Sequence, residues 1–142
     1  WRTGVDGSLR WRLHLGLGAD ALLSRVRVFA YKVLPQSDWN AACAEGRFAG
    51  SPVDLLDGYI HLSTRETLPE TLRKYFAGQT DLCLIEFDTA ELGDALRWEP
   101  ARGGQLFPHL YTPLRTDLAR RAWLLQWDGD AGFALPEALR AG

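Results

Sequence analysis

Methionine is absent from the 142 residues, and cysteine and lysine occur only twice each, at Cys43, Cys83, Lys32 and Lys74. Each scarcity removes a class of protein. Two cysteines without metal-ligand spacing, and with no secretory segment beside them, exclude a disulfide-built fold and predict reduced packing thiols in the cytoplasm. No apolar run approaches the roughly 20 residues that cross a bilayer, so no membrane partner is expected. An excess of positive charge is missing too: 16 Lys and Arg against 18 Asp and Glu leave a net charge of −2. No broad cationic field therefore awaits a nucleic-acid backbone, whereas a small anionic ligand stays open. With Trp1 in first position, the natural initiator is expected to lie outside this sequence.

What is present is ordinary globular material, 46% apolar and 24% charged, with six Trp, four Tyr and six Phe to fill a core. The length suits one domain that buries roughly two thirds of its unfolded surface. The first 26 residues stand apart. Leu9, Trp11, Leu13, Leu15 and Leu17 alternate with Arg10, Arg12, His14, Gly16 and Gly18, a period-two pattern. An upstream extension, an Arg-bearing targeting peptide and an edge strand that packs on a partner all fit it. The expected organisation is an N-terminal extension over 1–26 and a single α+β domain over 27–142.

Within that domain, residues 28–34 are β-branched and aromatic and stop at Pro35, a strand. Ser37 as N-cap, apolar Trp39, Ala42 and Cys43, and a stop at Gly46 predict a helix. Residues 59–63 alternate, with Ile60 and Leu62 on one face and Tyr59, His61 and Ser63 on the other. Ser63 with Glu66, and Thr67 with Glu70, have capping-box spacing ahead of the stripe Leu68, Leu72, Tyr75 and Phe76, which Gly78 ends. Residues 82–88 are apolar on both faces, as in a central strand. Residues 96–99, 107–111 and 121–127 complete the strands. Pro108 and Pro113 place the second of these at a sheet edge, and a short helical turn is expected over 136–139.

Chemistry gathers around two histidines. His61 lies on a polar strand face just before a helix start, where free N–H groups favour an anion and Ser63 and Thr64 add hydroxyls. A half-buried histidine bonded to a carbonyl is the plain alternative. A second unusual stretch, Arg97, Trp98, Glu99, Arg102, Gly103 and Gly104 followed by His109 and Tyr111, brings acid, base and phenol near flexible backbone. Metal ligation by two histidines and a carboxylate lacks any local signature, and no metal ligand is assigned. Ser63 has no nucleophile elbow, and neither cysteine has a basic neighbour.

Across residues 31–35, 50–55, 57–64, 75–79, 98–100 and 107–111 the chain closely resembles a bacterial family of unknown function numbered 952. The resemblance runs from about Tyr31 to Leu114, and residues before Val28 fall outside it. It implies a distant likeness to the ADP-ribosyltransferase fold, a strongly bent, split antiparallel or mixed sheet with two or three short helices and a cleft for NAD. In that likeness His61 meets a ribose hydroxyl, Arg102 suits a pyrophosphate, Glu99 steadies charge on the ribose, and Tyr111 stacks on nicotinamide. His61, Glu99 and His109 are the catalytic candidates, and Ser63, Thr64, Arg102 and Tyr111 the binding ones. Two functions follow: an enzyme that transfers or hydrolyses at the ribose carbon of NAD or a nucleotide derived from it, or a non-catalytic nucleotide-binding module. No resident cofactor is assigned, NAD being the substrate in this reading.

Overall fold

The computed structural model describes residues 27–129 and 132–140. The alternating segment between Leu9 and Leu17 lies outside them, as does the side chain of Arg102. In chain order the elements are β1 (Phe29–Pro35), α1 (Gln36–Glu45), β2 (Arg47–Phe48), α2 (Pro52–Asp57), β3 (Ile60–His61), α3 (Leu68–Tyr75) and β4 (Leu82–Asp88). They continue as α4 (Thr89–Leu92), β5 (Leu96–Pro100), β6 (Leu106–Leu110), β7 (Leu114–Arg115), β8 (Ala119–Leu124), β9 (Gln126–Trp127), β10 (Phe133–Ala134) and α5 (Glu137–Arg140). This is an α+β architecture in which the strands of the described residues divide among four small antiparallel sheets, β1-β4-β8, β3-β6-β5, β2-β7 and β10-β9.

β4 is central, as its unbroken apolar run requires, pairing with β1 from Phe29↔Asp88 to Pro35↔Leu82 and with β8 on its other edge. Its alternate residues feed two cores. Cys83, Ile85 and Phe87 pack with Trp39, Phe48, Leu110 and Leu114, whereas Leu82 and Leu84 pack with Tyr31, Val33, Leu68 and Leu72. Burying two such layers is the main favourable term of folding, roughly 25 cal/mol for each Å² of apolar surface removed from water.

Several local expectations are corrected. Ser37 is not the cap of α1: the helix begins at Gln36 behind Pro35, and it ends at Gly46 in the left-handed conformation as expected. Neither predicted capping box forms at α3. Instead the Thr64 and Thr67 hydroxyls accept from each other's backbone N–H, at 3.2 and 2.9 Å, so the turn before the helix satisfies its own donors. Five short α-helices stand among the described residues where two or three are expected, because α2 and α4 fall in stretches for which no element is predicted.

The correction with most consequence concerns β6, which is a central strand between β3 and β5 despite Pro108. The Pro108 carbonyl accepts from Leu62 N at 3.1 Å, so the side of the residue that lacks an N–H faces the end of β3. No donor is lost toward β5, and β3 stops at His61. The chain then crosses to the other sheet through one bridge, Tyr31 with Ser63, whose two hydrogen bonds are both 2.8 Å.

Candidate functional site

The site is built outward from a buried carboxylate. Gly50 leads into α2, Gly58 ends it in the left-handed conformation, and the turn places Asp54 beneath β3. Asp54 is 1% exposed, yet its two oxygens accept four hydrogen bonds. Oδ2 takes Lys32 Nζ at 2.9 Å and Ser51 N at 2.8 Å. Oδ1 takes the His61 backbone N–H at 3.0 Å and lies 2.6 Å from His61 Nδ1. Burial alone would push this carboxyl up, but the bonds from His61 and Lys32 and the lysine's charge overcome it and hold Asp54 far below the ordinary aspartate range. Lys32, itself 5% exposed, also donates to the His61 carbonyl at 3.0 Å.

His61 is thereby fixed at one ring nitrogen, and its Nε2 lies 2.9 Å from Asp57 Oδ2 at the end of α2. Both partners are acceptors when ionised. The neutral ring can serve one of them, and the doubly protonated ring serves both.

Directly across the sheet, His61 pairs with His109, and His109 pairs in turn with Arg97 of β5. Because neighbouring Ile60 and Leu110 point into the core, the alternation sends Tyr59, His61, His109 and Tyr111 to one face. Tyr59 stacks on His109 with ring centroids 4.1 Å apart and touches His61 at 4.7 Å and Tyr111 at 5.2 Å. His109 Nδ1 lies 2.7 Å from Glu99 Oε1, which also accepts from Tyr111 OH at 2.7 Å. Those bonds, from His109 first and Tyr111 second, hold Glu99 below the usual carboxylate range, and the same contact raises Tyr111. Arg97 caps the Tyr111 ring at 4.9 Å. His109 is 4% exposed, and among the described residues its Nε2 has no hydrogen-bond partner.

Of these groups Tyr59, His61 and His109 line a cleft of about 650 Å³, a size that suits a small organic ligand. His61, Ser63 and His109 line it, so the two histidine segments do meet. Glu99 and Tyr111 do not line it and touch its wall through His109 and Tyr59. Thr64 is occupied with Thr67 and takes no place on the wall, and α3 begins only at Leu68, so the anion-binding helix start expected beside His61 is not formed there. Ala101 reaches the cleft next to Arg102, whose backbone opens a 3-10 turn.

Sequence reasoning missed Lys32, Asp54, Asp57 and Tyr59. A signal existed for Asp54, since Ser51, Pro52 and Asp54 spell a helix start with proline in its first turn. Tyr59 lies on the face that its alternation with Ile60 predicts, and its stacking on His109 has no signal in the sequence. Among the described residues no group of three or more His, Cys, Asp or Glu side chains is arranged to hold a metal ion, and no helix is long and apolar enough to cross a membrane.

The model of the family described as Protein of unknown function (DUF952) matches residues 33–122. The crystal structure of protein CC0527 from Caulobacter crescentus is 46% identical to this chain, with a TM-score of 0.76 over 79% of this chain and 98% of that one. The solution NMR structure of CC0527 is 48% identical, with a TM-score of 0.67 over 74% and 90%. No curated protein matches the chain.

Proposed function

The chain belongs to the DUF952 family, and from its cleft we propose a small-molecule enzyme acting on NAD or an NAD-derived nucleotide, by transfer or hydrolysis at the ribose carbon. One observation carries this reading: two imidazoles, each held by a carboxylate, stand 5.6 Å apart on the wall of one aromatic-lined cleft. An imidazole whose Nδ1 is bound by a carboxylate presents its other nitrogen as a general base. His109 has that form, with Glu99 on Nδ1. In hydrolysis it takes a proton from water as the water oxygen bonds to the ribose carbon. The carbon–nitrogen bond breaks, and nicotinamide leaves with the bonding pair as a neutral ring. Tyr59 and the neighbouring aromatics suit a flat heterocycle. Ser63, on the wall, supplies a hydroxyl to the ribose. Glu99 is here a positioning residue that works through His109, with Tyr111 bonded to it. The acidic overall balance supports a free nucleotide over a nucleic acid as partner.

A second reading, a binding module without chemistry, is favoured by His61. Both its nitrogens face carboxylates, which leaves one imidazole edge for a substrate where an acid–base pair needs two.

Nicotinamide release from NAD, followed by chromatography, tests the first reading. The expected result is release over time, lost in His109→Ala, with NAD and ADP-ribose still raising the Tm of Glu99→Gln. A Tm shift without release moves the assignment to the binding module. Neither signal at millimolar nucleotide removes both.

A further inference from the structure

We infer that the cleft selects an organic cation, a substituted ammonium or an alkylpyridinium, and that Asp57 reads its charge. The inference deepens the preceding section and rests on its choice of this cleft as the ligand site.

The charge inventory of the wall comes first. Lys32 is its one permanent cation among the described residues, and that charge is taken: Nζ is buried and bonded to Asp54 and to a carbonyl. Among the described side chains no arginine lines the cleft. Asp38 and Asp57 are on the wall and exposed to the solvent that fills it. Lys32 and Asp54 cancel, so among the described side chains the two remaining carboxylates leave the wall negative, and a second proton on His61 offsets only one of them. Beside Asp38 and Asp57 an anionic group meets repulsion, so the pyrophosphate of a nucleotide lies away from them, whereas a cationic group such as its pyridinium meets attraction that low-dielectric walls strengthen.

The aromatic lining is the second observation. Tyr59, Tyr75 and Phe76 line the same cleft, and aromatic rings attract cations whose charge is spread or weakly hydrated. Such a cation loses less hydration on entry than a bare ammonium or a metal ion.

The third observation points to a ligand independently of charge. His109 is more than nine-tenths buried and lines the cleft, with Nε2 unpartnered among the described residues. Buried polar atoms are nearly always bonded, so this edge calls for a group the ligand brings. An amide or hydroxyl on the cation meets it.

Matched pairs of probes that differ in charge test the idea: the 1-methylnicotinamide cation, methylated on its ring nitrogen, against nicotinamide, and choline against its neutral carbon isostere 3,3-dimethylbutanol. Calorimetric titration of the full chain is expected to show each cation bound roughly tenfold tighter than its neutral partner. Asp57→Asn is expected to remove that preference, with Asp38→Asn reducing it. Asp57 is at the surface, and an unchanged ligand-free Tm in its variant certifies the fold. Equal affinity for cation and neutral isostere, no binding of either, or a preference that survives Asp57→Asn each overturns the inference. The two pairs also separate a flat pyridinium from a compact ammonium. Nicotinamide release without charge preference would sink this inference and leave the enzyme reading. Charge preference without release does the reverse.

Discussion

His61 and His109 are direct partners across β3 and β6, with ring centroids 5.6 Å apart and planes at 67°. Their meeting is a matter of register. The adjacent pair, Ile60 with Leu110, is buried, and a slip of one residue would exchange the two rows, placing imidazoles in hydrocarbon and aliphatic chains in the cleft. The packing that stabilises this small sheet therefore also assembles the site.

Glu99 gives the first prediction. His109 and then Tyr111 hold its carboxyl below the ordinary range, so it stays ionised, and keeps His109 oriented, to a lower pH than a free glutamate would. Glu99→Gln is expected to lower kcat/KM for nicotinamide release by roughly 10² or more. The profile should also change shape, with the acid limb displaced, while the Tm stays within a few degrees of wild type. An unchanged pH profile would contradict the positioning role.

Two buried carboxylates make a comparative test. Asp54→Ala leaves Lys32 sealed in the interior without its partner, and a loss of about 3–5 kcal/mol is expected. Glu86 is equally buried, but its cations Arg120 and Arg121 are a third to a half exposed and can turn to water, leaving chiefly the Tyr31 hydroxyl without its bond. Glu86→Ala should therefore cost less, about 1–3 kcal/mol. Urea titration of both variants decides the order, and a larger loss at Glu86 would refute it.

Asp54 also sets an acid limit. Its folded pKa lies below the unfolded one, so its stabilising contribution is complete above the ordinary aspartate value of about 3.9 and declines as pH falls further. Wild-type stability should drop steeply below about pH 4. Asp54→Asn, less stable at neutral pH, should show a shallower dependence there. Parallel curves in denaturant titrations at several pH values would rule this out.

Gly50 is the hinge on which that carboxylate rests. Its φ is +133°, and a Cβ at this position would lie 3.0 Å from the Asp54 Cβ. Gly50→Ala is expected to destabilise by about 1–3 kcal/mol through backbone strain. It should also shift the His61 ring signals in NMR spectra, which a remote loop effect would leave alone.

Much of this was legible in sequence where the pattern was local. Apolar residues on both faces of 82–88 announced a central strand, and alternation around His61 sorted Tyr59 and His61 from Ile60 and Leu62. The Lys32–Asp54 pair was not legible, because which charges become buried depends on contacts between β1 and α2 that no local period records. Pro108 misled for a definite reason. Its missing donor does weaken a strand on one side, but the side cannot be known before the neighbour is.

That same proline shapes the cavity. Had residue 108 an N–H to return, hydrogen bonding could zip onward past Leu62 and draw the strand on along its neighbour. The imino ring halts the zip after one bond and sends the backbone across to Tyr31. Leu62 and Ser63, the residues at that departure, form part of the wall. One hydrogen atom withheld from the main chain thus marks where pairing ends and a binding hollow begins.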